Sequence, residues 1–227
     1  MINLLRRNII FIGLSLMLII ALGLALLCVP KGELHIFLCN RHIYARDIFY
    51  RYYTKVAEWF PYAACILLLL FRRIGDGLFA TAAMLTAALT TQLLKHIVNA
   101  PRPVIWFDEN LPDISLPLVN GVQMNHFFSF PSGHTSSFFA LAFVLCIILS
   151  MTHRATKRQR ITGVILQVIL FFLAALGGYS RIYLSQHFAL DVFAGIIIAL
   201  VITALFYVLF NRFESTKWYN YRFFSKK

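Results

Sequence analysis

The sequence predicts an all-α fold, a polytopic membrane helix bundle of about six transmembrane helices, on three observations. Of 227 residues 60% are hydrophobic and only 13% charged, whereas soluble domains use roughly 45–50% apolar and about 25% charged residues. The apolar residues fall into separate runs, most of them near the roughly 20 residues that a helix needs to cross a bilayer core. The net charge of +12 sits in short clusters between those runs, where basic residues fix orientation. It does not line a polar face as in a nucleic-acid binder. The partner implied is the lipid bilayer, with no nucleic acid.

The elements follow in order. Arg6-Arg7 precedes an apolar run from Ile9 to about Val29. It is longer than a signal-peptide core, and Leu26-Leu27-Cys28 lacks the small residues of a cleavage site, so it reads as an uncleaved first span. Lys31 to Lys55 is basic and aromatic, too polar to span, and reads as a short amphipathic helix at the headgroup level. A second span is expected from about Val56 to Phe71, ending at Arg72-Arg73, with Gly75-Asp76-Gly77 as a tight turn. The third, Leu78 to Val98, is rich in Ala and Thr, small residues that let membrane helices approach. Asn99 to Pro131 is the longest polar insert, punctuated by Pro101, Pro103, Pro112 and Pro117. Within it Gln123 to Phe130 reads as an interfacial anchor. Spans are expected at Thr135–Met151, Thr162–Tyr179 and Phe188–Phe210, before a basic, aromatic tail ending Lys226-Lys227. No repeat or second domain is visible, so residues 1–227 read as a single domain with a motif core at about 78–205.

With both ends inside, thirteen of the 21 Lys and Arg residues fall on the cytoplasmic side, including Arg6, Arg7, Arg72, Arg73, Arg154 and Arg158. Five of the rest, Lys31, Arg41, Arg46, Arg51 and Lys55, lie in the first outer loop. The last three are Lys95, Arg102 and Arg181, and they belong to stretches at span ends that this topology brings to the outer side.

Those stretches are Lys95 to Pro103, Pro131-Ser132-Gly133-His134, and Ser180-Arg181 with His187 and Asp191. Singly each has a bland reading: a snorkelling lysine, a loop arginine, a helix start, a structural histidine. Asp191 resists that reading, because an unpaired carboxylate in an apolar span is costly. His187 and Asp191 are four residues apart and share a helix face; a carboxylate there fixes the imidazole tautomer. Three cations, two histidines, a serine and a glycine amide suit phosphoryl transfer, which depends on positioning and charge.

The three stretches resemble the type-2 phosphatidic acid phosphatase (PAP2) superfamily, whose pattern is K-x6-RP, PSGH and SR-x5-H-x3-D; every position is filled. The resemblance implies a lipid phosphatase in which His187 is the nucleophile, oriented by Asp191. It implies His134 as the acid that protonates the leaving oxygen, and Lys95, Arg102, Ser132, Gly133 and Arg181 as phosphate ligands. It implies no metal and no cofactor. No metal-ligand spacing appears among the histidines and Cys28, Cys39, Cys65 and Cys146 either; these read as packing cysteines, with Cys39 alone facing outside.

The expected substrate is a lipid phosphate monoester or diphosphate. The basic outer loop favours lipid A phosphate or undecaprenyl diphosphate; phosphatidylglycerol phosphate or phosphatidic acid is the alternative. The expected location is a bacterial inner membrane with a periplasmic site. A lipid phosphotransferase on the same scaffold is a competing class. A transporter is another, but its repeats or broken helices are not visible. His35, His42, His96, His126 and His153 belong to no motif and read as solvent or interface residues.

Overall fold

A computed structural model describes residues 6–40, 42–149 and 156–223; Arg41, Met151, His153, Arg154, Lys226 and Lys227 lie outside the described residues. Every regular element among them is helical: α1 (Ile9–Cys28), α2 (Lys31–Cys39), α3 (Tyr44–Tyr53), a 3₁₀ turn (Thr54–Ala57), α4 (Trp59–Arg72), α5 (Ile74–Val98), α6 (Pro103–Asn110), α7 (Gly133–Leu149), α8 (Lys157–Tyr183) and α9 (Ala189–Asn211).

Four helices, α1, α5, α8 and α9, are long and apolar enough to cross a membrane. The apolar α7 has 17 residues. The expected second span is shorter than the sequence indicated. Val56 lies in the 3₁₀ turn, Glu58 is extended, and α4 has 14 residues, about 21 Å of helix against a core of about 30 Å. It is bent 46° from the helical stretch before it. The six apolar helices nonetheless run back and forth between two ends. At one end Arg7 meets Gln167 of α8, and Ile74 donates to the Tyr221 carbonyl. At the other lie the last turns of α5 and α8 and the first turns of α7 and α9, and with them all three motif stretches.

Gly75-Asp76-Gly77 is not a turn; it is the first turn of α5. Extended Arg73 makes the reversal by itself, and the Asp76 carboxylate then accepts from Arg72, from Arg73 (2.8 Å) and from the Tyr219 hydroxyl (3.4 Å). The glycines are needed because a Cβ at 75 would enter the Tyr219 ring and one at 77 would enter Leu70.

The core joins α1, α7 and α8 through aromatic rings: Phe11 stacks on Phe143 at 5.4 Å and meets Phe171 edge-on at 6.4 Å. Residues 31–57 do not form one floating amphipathic helix. They break into α2, α3 and the 3₁₀ turn and fold over the motif end, where Tyr50 lies 4.4 Å from Tyr183 and the Tyr183 hydroxyl donates to Asp47. Burial of these rings on the bundle contributes a few kcal/mol for each aromatic that leaves water. Cys39, expected on the outer side of the membrane, is fully buried beneath them.

Candidate active site

The site is built on the loop between α8 and α9. α8 ends at Tyr183, and Ser185 adopts a left-handed φ of 49°. That reversal lets the amides of Gln186 and His187 both return to the Arg181 carbonyl, at 3.0 and 3.1 Å. α9 then starts at Ala189, and Asp191, in its first turn, reaches back to accept from the Phe188 amide at 2.9 Å, the N3 half of a capping box. The same oxygen lies 3.3 Å from His187 Nδ1 and accepts from Ser129 Oγ. His187 is 1% and Asp191 3% exposed, so the ring is oriented from behind by a buried carboxylate.

Three cations converge on this ring. The charges of Lys95, Arg102 and Arg181 act on both His187 and His134. Arg102 is held rigidly: Nη1 donates to the Gln186 side chain at 2.9 Å and its carbonyl at 3.1 Å, and Nε donates to the Phe127 carbonyl at 2.9 Å. Arg181 Nη1 donates to Thr54 Oγ1 at 2.6 Å, while its buried Nε has no partner among the described residues. Lys95, in the last turn of α5, donates to the Phe128 carbonyl. Burial first, then the positive charge of Arg102, Arg181 and Lys95, holds the His187 imidazole well below its ordinary value of 6.5. The ring is therefore neutral, with a lone pair, at neutral pH.

Ser132 caps α7. Its Oγ accepts from the Thr135 amide at 3.3 Å and the Thr135 hydroxyl at 2.8 Å, and its amide donates to the Asp191 carbonyl at 3.0 Å. The hydroxyl proton of Ser132 is thereby free to be donated. The amides of Gly133 and His134, first in the helix, have no intrahelical acceptor and suit an anion. A Cβ at Gly133 would lie 3.8 Å from Thr91 Oγ1 and 3.9 Å from Lys95 Cε, which puts this amide beside the Lys95 side chain. All eight motif residues, His187, His134, Asp191, Lys95, Arg102, Ser132, Gly133 and Arg181, thus gather at one end of the bundle.

Several participants were not visible in the motifs. Gln123 to Phe130 is more than an interfacial anchor: its carbonyls brace Lys95 and Arg102, its Ser129 binds Asp191, and the Gln123 carbonyl and Met124 sulfur receive the Gln186 amide. The insert folds back because Arg102 N donates to the His126 carbonyl (2.8 Å) and Ser129 N to the Ala100 carbonyl (3.0 Å). His96 and His126 are exposed as expected, and half-buried His42 pairs with Asp47 at 2.9 Å. His35 is a correction: it is 1% exposed, against Ser185, Phe107 and Phe188, because α2 lies over the His187 loop. Burial pushes its pKa down to about 4. Among the described residues, no group of three His, Cys, Asp or Glu side chains could hold a metal.

Comparison with known proteins shows the family. The family model of the PAP2 superfamily matches residues 76–215, from the first turn of α5 to beyond α9. Phosphatidylglycerophosphatase B of Bacillus subtilis is 31% identical over 134 residues, 58% of this chain and 57% of that protein. Dolichyldiphosphatase 1 of Dictyostelium discoideum is 28% identical over 142 residues, 63% of this chain and 56% of that one. The chain thus aligns with about half the length of these curated relatives. Among solved structures, Aquifex aeolicus LpxE superposes with a TM-score of 0.59 at 26% identity, covering 77% of this chain and 92% of that one. A transmembrane PAP2 type phosphatidylglycerolphosphate phosphatase from Bacillus subtilis superposes at 0.64 over 93% of this chain and 99% of that one; at 20% identity it speaks for the fold alone. Because the family match extends over more than half of the chain and encloses all three motif stretches, this protein belongs to the PAP2 superfamily.

Proposed function

We propose that the protein is a metal-independent membrane lipid phosphatase that works through a phosphohistidine on His187. The observation that carries the reading is a buried His187, backed by Asp191 at 3.3 Å and faced by three cations. Three fixed positive charges with a single carboxylate repel a metal ion and attract a phosphate. Lys95, Arg102, Arg181, Ser132 Oγ and the Gly133 amide hold the phosphoryl oxygens. The His187 lone pair attacks phosphorus as the bond to the lipid oxygen breaks, and His134, able to hold a proton beside the three cations once the negative phosphate is bound, gives it to that oxygen. Water then attacks the phosphohistidine, His134 takes a proton from it, and inorganic phosphate leaves with His187 restored.

The lipid part of the reading rests on the surroundings. An apolar cleft of about 350 Å³ lies between α1, α2, α7, α8 and α9, lined by Leu22, Leu38, Phe139, Leu176, Ile182 and Val192. Ile182 and Val192 adjoin Arg181 and Asp191 in the chain, so one end of the cleft comes within about a helix turn of the site. The motif end faces the outer side of a bacterial inner membrane, the periplasm, with both chain ends cytoplasmic. A lipid A phosphate or undecaprenyl diphosphate fits the basic outer loop, although Arg51 is committed to the Asn120 carbonyl and Lys31 to the rings of Phe188 and Trp106. Phosphatidylglycerol phosphate is the second reading, favoured by the Bacillus subtilis relative.

Detergent-purified protein and its His187→Ala form, assayed on a panel of these lipids with EDTA present, test the proposal. Wild type should release inorganic phosphate without an added acceptor and form an acid-labile phosphoenzyme that the variant lacks. Phosphoryl passing only to an added acceptor would make it a phosphotransferase; no transfer from any lipid would end the enzyme reading.

A further inference from the structure

We propose that His35, which lies outside the three motif stretches, is a positioning residue that grips the loop on both sides of His187. The catalytic consequence rests on the role proposed for His187; the grip itself rests on contacts. His35 Nε2 is 3.3 Å from Ser185 Oγ, across 150 residues of sequence. The same ring meets Phe188 edge-on, with centroids 5.1 Å apart, and Phe107 at 5.7 Å. Ser185 and Phe188 flank the Gln186-His187 pair, and Phe107 belongs to α6, the helix that follows Arg102. One side chain therefore ties the outer-loop helix α2 to the His187 loop and to the Arg102 helix.

The direction of the hydrogen bond follows from donor counting. Ser185 has one hydroxyl proton, and the Pro117 carbonyl accepts it at 3.3 Å. Ser185 Oγ can then only accept from His35, so the proton of the neutral imidazole sits on Nε2. That bond holds a residue whose φ of 49° lies where side-chain-bearing residues rarely go, and this reversal is what aims His187 back along Arg181. Packing alone does not account for a histidine here. A phenylalanine would fill the volume without a buried Nδ1 that has no partner among the described residues. What histidine adds is the donor to Ser185.

The test uses the full chain in detergent with His35→Phe, Ser185→Ala and the double variant. Three quantities are read: kcat and KM on the best lipid of the panel, the thermal midpoint, and the rate at which diethyl pyrocarbonate modifies His187, followed by mass spectrometry. His35→Phe keeps the ring and loses the donor; kcat should fall by up to about 100-fold, as expected for a misplaced nucleophile, with KM within about twofold. His187 should be modified faster, and the double variant should be no worse than the poorer single one, since the two share the His35–Ser185 bond and Ser185→Ala additionally loses the Pro117 contact. Should His35→Phe fail to fold, Ser185→Ala leaves the core intact and must by itself give a kcat loss at least as large and faster modification. Wild-type kcat and unchanged His187 modification in either variant, or losses that multiply in the double one, would overturn the proposal. If wild type releases no phosphate from any lipid while His35→Phe still exposes His187 to the reagent, the phosphatase reading falls and the grip stands.

Discussion

Ser129 and Asp191 are in hydrogen-bond contact on the buried side of the site, 62 residues apart in sequence. That contact closes the long insert onto α9. Three donors, the Ser129 hydroxyl, the Phe188 amide and His187 Nδ1, converge on the single oxygen Oδ2. The orientation of the imidazole thus depends on a residue outside every motif.

Replacement of Ser129 by Ala is expected to lower kcat about 10-fold and stability by about 1–3 kcal/mol, because a buried carboxylate loses a donor. KM should change little, since Ser129 sits behind Asp191 and not among the phosphate ligands. Steady-state kinetics and denaturant titration of the same preparation check both parts. An increase confined to KM would contradict the placement.

The pH behaviour has a definite sign. His187 is held below its ordinary range by burial and by nearby cations, so the acid limb of kcat/KM should lie below the usual imidazole value. Lys95→Met removes one of those cations. Protonation of His187 then becomes easier and the limb moves up in pH, on top of any loss of phosphate binding; Lys95→Arg should leave the limb in place. Stability has its own window through His35, whose folded value of about 4 lies below the 6.5 of an unperturbed imidazole. Below 6.5 the unfolded chain takes up a proton that the folded one refuses. Stability present above 6.5 is therefore lost as pH falls towards 4, with a limiting slope of about 1.4 kcal/mol per pH unit. Thermal midpoints across that window should decline less steeply in His35→Phe than in wild type.

The membrane class and the three motif stretches were legible because apolar run length and ionisable residues at run ends are one-dimensional signals. What braces them was not. Gln186 lies inside the last motif as an unspecified position, yet it clamps Arg102 and receives no local signal of doing so. Ser129 and the carbonyls of Phe127 and Phe128 act through contacts made only when the insert folds back on Ala100 and Arg102. His35 looked like an outer-loop histidine because hydropathy says nothing about what a short polar helix covers. Gly75-Asp76-Gly77 looked like a turn because two glycines around an aspartate usually make one. Here their small size serves Tyr219 and Leu70.

Asp76 supplies a control far from the chemistry. It is fully buried, paired with Arg72 and Arg73, and the 25-residue α5 separates it from Lys95 by about 30 Å. Asp76→Ala should lower stability by about 2 kcal/mol, discounted because Arg72 is partly exposed, while the surviving folded protein keeps its kcat/KM. Thermal unfolding and kinetics at a temperature well below the midpoint separate the two effects.

Gly195 connects packing with phosphate binding. It lies one turn beyond Asp191 on α9, where a Cβ would stand 2.7 Å from the Ser132 carbonyl and 3.1 Å from Thr135 Cβ. Those atoms are backbone and the root of a side chain, so they cannot swing aside; the start of α7 has to move. Ser132 also donates its amide to the Asp191 carbonyl, so the displacement strains the link between the two stretches it joins. Gly195→Ala should therefore weaken phosphate binding and catalysis together, raising KM and lowering kcat each by about 10-fold, although the residue touches no substrate. Asp191→Asn leaves the helix contact intact and should lower kcat with less effect on KM. If Gly195→Ala proves indistinguishable from wild type in both constants, the close approach of α7 and α9 does not set the geometry of the Ser132-Gly133 cradle.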